Sequence, residues 1–284
     1  MNPLMDVSAL NHRMTSGERT VLLDVRWALG DPHGREHYLA AHIPGAVYVD
    51  LPTQLAGPAD PREGRHPLPP LQQFQESARC WGIREHDVVV AYDDTGSTAA
   101  ARLWWMLRNA GVSTVFLLDG GLSAWRSAGF GVEGGLEQAS LGDVTLTDGA
   151  MPVIDAAQAA EWPGRGVLLD ARAGERYRGE IEPVDPRAGH IPGAVSAPTA
   201  GNIGSDGRFL PEEQLWDRFT ALGVRPDVPT AVYCGSGVTA AHEVAALEIA
   251  GFPAALYPGS FSQWSNDPAN EVATGAAPWQ PPGP

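Results

Sequence analysis

The sequence predicts an α/β protein made of two tandem copies of one domain, each a parallel sheet flanked by helices. Two observations carry this reading. First, the chain repeats itself: VLLDVR at residues 21–26 returns as VLLDAR at 167–172, and HIPGAV at 42–47 returns unchanged at 190–195. Second, short aliphatic runs alternate with helical stretches inside each copy, which is the pattern of parallel strands joined by crossover helices. A length of 284 residues suits two domains of this kind, at about 150 residues per domain.

The elements follow in order. Residues 21–25 and 88–92 are β-branched and aliphatic, and read as buried strands. Residues 97–110 carry Ala, Leu and Arg at helical spacing and stop at Gly111; residues 114–118 form the next strand. The second copy repeats the series, with strands at 167–169 and 230–233, a helix over 239–250 ending at Gly251, and a strand at 254–257. LLDGGLSAW (117–125) and LYPGSFSQW (256–264) close the two copies in tryptophan. Residues 131–151 are rich in Gly, Glu, Ser and Thr, with an extended stretch at 144–146. The domains are therefore expected at residues 1–132 and 152–277, joined by a linker at 133–151 and followed by a flexible proline-rich tail at 278–284. A polar loop at 52–70 is long enough to suggest a function of its own.

Composition removes several mechanisms. All 19 basic side chains are arginine, against 34 acidic ones, for a formal net charge of −15. A chain without lysine has no Walker-type phosphate loop, no pyridoxal Schiff base and no kinase ATP site. Two cysteines, Cys80 and Cys234, make neither a thiol-rich metal site nor a disulfide framework. The acidic balance argues against nucleic acid or an anionic membrane as partner. The sequence has no run of 18 apolar residues and no apparent secretory leader, so a cytoplasmic protein is expected.

The strongest chemical feature is Cys234 in YCGSGVTA, residues 233–240. A loop between a buried strand and a helix points backbone N–H groups inward, and these stabilise a thiolate or any anion carried on its sulfur. Gly235 and Gly237 allow positive φ and close approach. A phosphatase of the C-x5-R type needs arginine at 240, which is Ala240. A C-x-x-C redox pair needs cysteine at 237, which is Gly237. What remains is one nucleophilic sulfur that accepts and passes on a group. Cys80, beside Trp81 and without glycines, reads as packed.

The tandem copies, the two HIPGA segments and the CGSGVTA loop resemble the rhodanese family of sulfurtransferases over nearly the whole chain. The resemblance implies two rhodanese-like domains, with an inactive N-terminal copy and a catalytic C-terminal one. Asp93 stands in the position of Cys234, which fits. The neutral Gly-Ser-Gly after the cysteine is similar to 3-mercaptopyruvate sulfurtransferases rather than to thiosulfate-using members, whose loops are basic. By the same resemblance Arg176 and Arg187 hold the substrate, with Arg178 as a nearby competitor. Arginine suits that task because its planar fork bonds a carboxylate through two N–H groups. Ser236 is expected to pair with His66 of the 52–70 loop as a proton relay; the acidic third member is missing, Pro52 standing where it is usual and Asp50 being nearest. His42 and His190, present in both copies, read as turn-stabilising.

The expected reaction moves sulfane sulfur from 3-mercaptopyruvate through a Cys234 persulfide to a thiol, cyanide or protein acceptor. Cys234, Ser236 and His66 do the chemistry. Arg176, Arg187, Gly235, Gly237, Val238 and Thr239 bind the small anionic donor. No metal or organic cofactor is required. The alternatives are thiosulfate as donor, or a non-catalytic binding or sensing module on the same fold.

Overall fold

The structure is a computed structural model describing residues 2–277, and the expected tail at 278–284 lies outside them. In chain order the strands are β1 (Leu4–Met5), β2 (Thr20–Asp24), β3 (Val47–Tyr48), β4 (Val88–Tyr92), β5 (Val115–Leu118), β6 (Val167–Asp170), β7 (Val195–Ser196), β8 (Thr230–Tyr233) and β9 (Ala254–Leu256). The helices are α1 (Val7–Ser16), α2 (Gly34–Ala40), α3 (Leu51–Gln54), α4 (Leu71–Cys80), α5 (Ala100–Asn109), α6 (Gly121–Ser127), α7 (Ala156–Glu161), α8 (Gly174–Tyr177), α9 (Glu212–Ala221), α10 (Thr239–Ile249) and α11 (Ser260–Trp264).

The chain forms two compact units. Among the described residues the first comprises 2–57, 68–151 and 203–209; the second comprises 58–67, 152–202 and 210–277. Each has one all-parallel sheet. The order is β1-β5-β4-β2-β3 in the first unit and β7-β6-β8-β9 in the second. A bridge from Val153 to Leu256 adds the counterpart of β1 at the edge beside β9. Strand order reverses between β2 and β4, and between β6 and β8. In parallel sheets ligands bind beyond the carboxyl ends of the strands at such a switch.

Both cores are aliphatic and aromatic, as expected for sheets covered on both faces. Leu10, Leu22, Val90, Leu118 and Trp125 pack in the first unit; Leu168, Ala231, Tyr233, Phe261 and Trp264 pack in the second. The repeated motifs perform the same structural tasks twice. The Asp of VLLD pairs with the buried arginine two residues on, Asp24 with Arg26 at 2.8 Å and Asp170 with Arg172 at 2.6 Å. Arg26 also donates to the Ala41 carbonyl and Arg172 to that of Gly189, which ties each strand end to the following HIPGAV turn. His42 and His190 are fully buried, bond through Nδ1 to the carbonyls of Tyr38 and Tyr177, and stack on those tyrosine rings.

Within 133–151, Val144 and Leu146 are buried, and their N–H groups bond to the Ile83 carbonyl and Gln75 Oε1 without forming a strand. One local expectation changes. Cys80 ends α4 as an exposed free thiol, because Phe74 and Ala78 form the buried face of that helix.

Candidate active site

The site lies in the second unit, beyond β8. Cys234 follows Tyr233 directly and is 2% exposed. Its N–H donates to Ser260 Oγ at 3.1 Å, and its carbonyl accepts from Phe261 N at 2.9 Å. The Gly235 carbonyl accepts from Ser262 N at 2.8 Å, so the start of α11 fixes the loop from one side. The Gly237 N–H points inward and donates to Cys234 Sγ at 3.1 Å. Val238 caps α10, and Thr239 is its first residue. Gly237 has φ +79°, whereas Gly235 keeps an ordinary φ. Two guanidinium groups lie close over Gly235: a Cβ there would be 3.0 Å from Arg65 Nη2 and 3.5 Å from Arg176 Nη1.

Residues 58–67 bring two side chains to this loop. Gly64, at φ +98°, approaches α11 so closely that a Cβ would lie 2.7 Å from the Gly259 carbonyl oxygen. His66 Nδ1 is then 2.8 Å from Ser236 Oγ, so the expected serine–histidine pair is assembled. Asp50 is engaged elsewhere, accepting from Thr53 Oγ1 beside it. Arg65 was not anticipated. Its Nη1 bonds Asp185, its backbone N–H bonds Ser262 Oγ, and its buried Nε–H has no partner among the described residues.

Arg176, on α8, reaches the loop from the other side. It bonds Glu182 at 2.6 Å and Asp185 at 2.9 Å. Glu182 also meets Arg172 at 3.4 Å. The result is an alternating chain of charge: Asp170, Arg172, Glu182, Arg176, Asp185, Arg65. Burial raises the Asp185 pKa, and neighbouring Glu182 adds to this, against the pull of Arg65 and Arg176. Burial also opposes ionisation of Glu182, but hydrogen bonds from Arg176 and from the Asp185 and Val184 N–H groups outweigh it and hold that carboxyl below its usual range.

Arg187 is placed differently from the expectation. Its guanidinium donates to the carbonyls of Trp264, Ser265, Asp267 and Asn270, at 2.6 to 3.1 Å. A planar fork with five donors suits a loop of converging carbonyls as well as a carboxylate. Arg178 pairs with exposed Glu180 at 2.7 Å.

Behind the loop, α10 carries a buried polar cluster. Thr199 Oγ1 is 2.6 Å from His242 Nδ1, and Asn202 Nδ2 donates to Glu243 Oε2 at 2.6 Å. Burial pushes the fully enclosed Glu243 carboxyl up to about 7, against the opposing effects of Arg218, 3.8 Å away, and Asn202.

The family described as the rhodanese-like domain matches residues 6–128 and again 153–267. The chain belongs to the rhodanese family. A Pseudomonas aeruginosa protein named "Probable 3-mercaptopyruvate sulfurtransferase" is 48% identical over 262 residues, covering 90% of this chain and 92% of that one. A Mycobacterium tuberculosis protein named "Putative thiosulfate sulfurtransferase SseB" is 45% identical over 280 residues, covering 96% and 98%. The crystal structure of SseA from Escherichia coli, titled as a 3-mercaptopyruvate sulfotransferase with the rhodanese fold, superposes with a TM-score of 0.82 at 29% identity, covering 92% and 99%. This rhodanese is accordingly a sulfurtransferase enzyme, which sets aside a non-catalytic binding or sensing module. In its first unit the position of Cys234 is held by Asp93. That carboxylate is fully buried and accepts from the N–H groups of Thr95, Ser97, Ala99 and Ala100 at 2.8 to 3.0 Å.

Proposed function

We propose that this rhodanese takes sulfane sulfur from 3-mercaptopyruvate onto Cys234. The thiolate attacks the donor's sulfur, the donor's carbon–sulfur bond breaks, and its electron pair remains on carbon as the enolate of pyruvate. The donor's thiol proton ends on that carbon, by way of Ser236 and His66, and the enzyme keeps a persulfide. A thiol, cyanide or protein acceptor then removes the outer sulfur. The inward Gly237 N–H, at 3.1 Å from Sγ, supports stabilisation of both the thiolate and the persulfide, as does the start of α10 at Val238 and Thr239.

The observation that carries the donor assignment is the pair of guanidinium groups beside Gly235. Arg176 and Arg65 share Asp185, and Arg65 Nε–H is a buried donor without a partner among the described residues. A donor carboxylate displaces Asp185 from one arginine and satisfies that N–H. Arg187 acts at one remove, by holding the loop after Trp264. The chemistry calls for no metal or organic cofactor, and a free thiol suits a reducing compartment such as the cytoplasm. No helix among the described residues is long and apolar enough to cross a membrane.

Intact mass after exposure to 3-mercaptopyruvate tests the reading. The wild type should gain one sulfur atom and Cys234→Ser none; a wild type without the gain overturns it. Thiosulfate is the second reading, favoured by the name of the M. tuberculosis relative. A higher kcat/KM for thiosulfate than for 3-mercaptopyruvate would select it.

A further inference from the structure

We propose that His42, Glu133 and Glu137 of the first unit form a binding site for a divalent transition-metal ion of zinc's class. His42 is fully buried. Its Nδ1 is 2.9 Å from the Tyr38 carbonyl oxygen. A carbonyl only accepts, so Nδ1 holds a proton, and a neutral ring then offers Nε2 as a lone pair. That Nε2 has no hydrogen-bond partner, and Glu133 Oε1 lies 3.8 Å from it. A lone pair facing a carboxylate is an arrangement that a cation between them resolves. An imidazole whose other nitrogen bonds a backbone carbonyl is also the usual setting of a metal-bound histidine.

The backbone holds the three ligands in place. His42 and Glu133 exchange main-chain hydrogen bonds of 2.8 and 3.0 Å. The Gly45 N–H holds Glu133 Oε1 at 2.6 Å, and the Glu137 N–H donates to Tyr38 Oη at 3.0 Å. One atom from each of the three side chains lies within 4.8 Å of the others. Tetrahedral zinc, with bonds of about 2.1 Å, sets its ligands about 3.4 Å apart. Neither carboxylate is buried, so small side-chain rotations close the difference, and the fourth position is left for water. One imidazole and two carboxylates suit Zn²⁺ and Co²⁺.

The second unit supplies an internal control. His190 makes the same Nδ1 bond, to the Tyr177 carbonyl at 2.8 Å, and its Nε2 is likewise without a hydrogen-bond partner. The residue exchanging main-chain bonds with it, however, is Ala273. The repeated turn thus places an imidazole Nε2 without a hydrogen-bond partner twice, and among the described residues only the first of them is grouped with two carboxylates close enough to share an ion. Metal there ties residues 133–137 to the turn at 42–45; it takes no part in sulfur transfer.

The test compares the full-length wild type with the double variant Glu133→Gln, Glu137→Gln, in which an amide oxygen still accepts from Gly45. Equilibrium dialysis against Zn²⁺ should find one equivalent on the wild type and affinity weakened at least about tenfold in the variant. Zinc should raise the Tm of the wild type by about 5 °C and leave that of the variant unmoved. Co²⁺ should give tetrahedral d–d bands without thiolate charge transfer, which separates this site from Cys234. Equal zinc affinity in the two proteins, or no uptake by the wild type at about 1 mM Zn²⁺, overturns the proposal. Unchanged sulfurtransferase activity in the variant verifies its fold.

Discussion

Arg65→Gln removes one of the two cations beside Gly235 and leaves Asp185 to Arg176 alone. At about 5 Å, with an effective dielectric constant of about 20, a unit charge acting on the donor's carboxylate is worth about 3 kcal/mol. Asp185 cancels part of that field, and the Arg65 side chain is 26% exposed. About 2 kcal/mol remains, or about 30-fold in kcat/KM, carried mostly by KM because the interaction holds ground state and transition state alike. Steady-state kinetics with 3-mercaptopyruvate measures this directly. Alkylation of Cys234 isolates the electrostatic part: iodoacetate should slow about tenfold more than neutral iodoacetamide. If kcat/KM stays within about threefold of wild type, or both reagents slow equally, Arg65 is not an anion-binding group and the donor assignment loses its main support.

Three further outcomes follow from the same geometry. Ser236→Ala and His66→Gln should each lower kcat about 10- to 100-fold, with the double variant no worse than the poorer single one, because the two atoms act as a pair; additive losses in steady-state kinetics would mean separate roles. Asp93→Ala leaves four N–H groups of the first unit without their carboxylate and should cost about 3 kcal/mol, seen in calorimetry as a Tm lower by about 8 °C; an unchanged Tm would contradict the burial argument. Glu243 ionises near 4.5 when unfolded and about 7 when folded. Between those values the folded chain keeps a proton that the unfolded chain has released, so stability falls as pH rises through that window, by on the order of 3 kcal/mol in all. Glu243→Gln, which keeps an acceptor for Asn202, should flatten the Tm profile between about pH 5 and pH 8. Parallel profiles for variant and wild type would count against it.

Much of this was legible in the chain because the repeats are long and apolar. The strands at 88–92 and 230–233 match β4 and β8 to the residue, since buried parallel strands are continuous aliphatic runs bounded by turns. Helix α4 was missed: its amphipathic spacing is clear, but only Phe74 and Ala78 of its ten residues are buried, in a stretch rich in Gln, Glu, Ser and Arg that follows a proline-rich loop. Cys234 and Ser236 share one loop that the sequence displays; Arg176, expected there only through the family resemblance, lies beside Gly235, and His66 meets Ser236. Arg65 escaped notice because nothing in local sequence tells which of two adjacent loop residues will face a distant segment; its place beside His66 was the one available clue. Arg187 shows the converse, since a motif position says where the backbone passes and not which carbonyls will compete for the guanidinium.

The two copies together explain how an acidic protein without lysine can run anion chemistry. In the first unit the loop after β4 directs four N–H groups at the Asp93 carboxylate, with no cation among its hydrogen-bond donors. The backbone path therefore offers four N–H donors to a carboxyl group without help from a cation, and these oppose the rise that burial imposes on the Asp93 pKa. In the second unit the corresponding loop holds Cys234, where the proposed mechanism places a negative charge first on the thiolate and then on the persulfide. On that proposal the cations serve to admit the donor. The chain from Asp170 to Arg65 supplies three, each balanced by a carboxylate. An arriving anion must compete with Asp185 rather than fall into an open positive well. On the proposed reading, selectivity depends on how well a donor replaces that one carboxylate, and a planar α-keto acid would match its geometry more closely than tetrahedral thiosulfate.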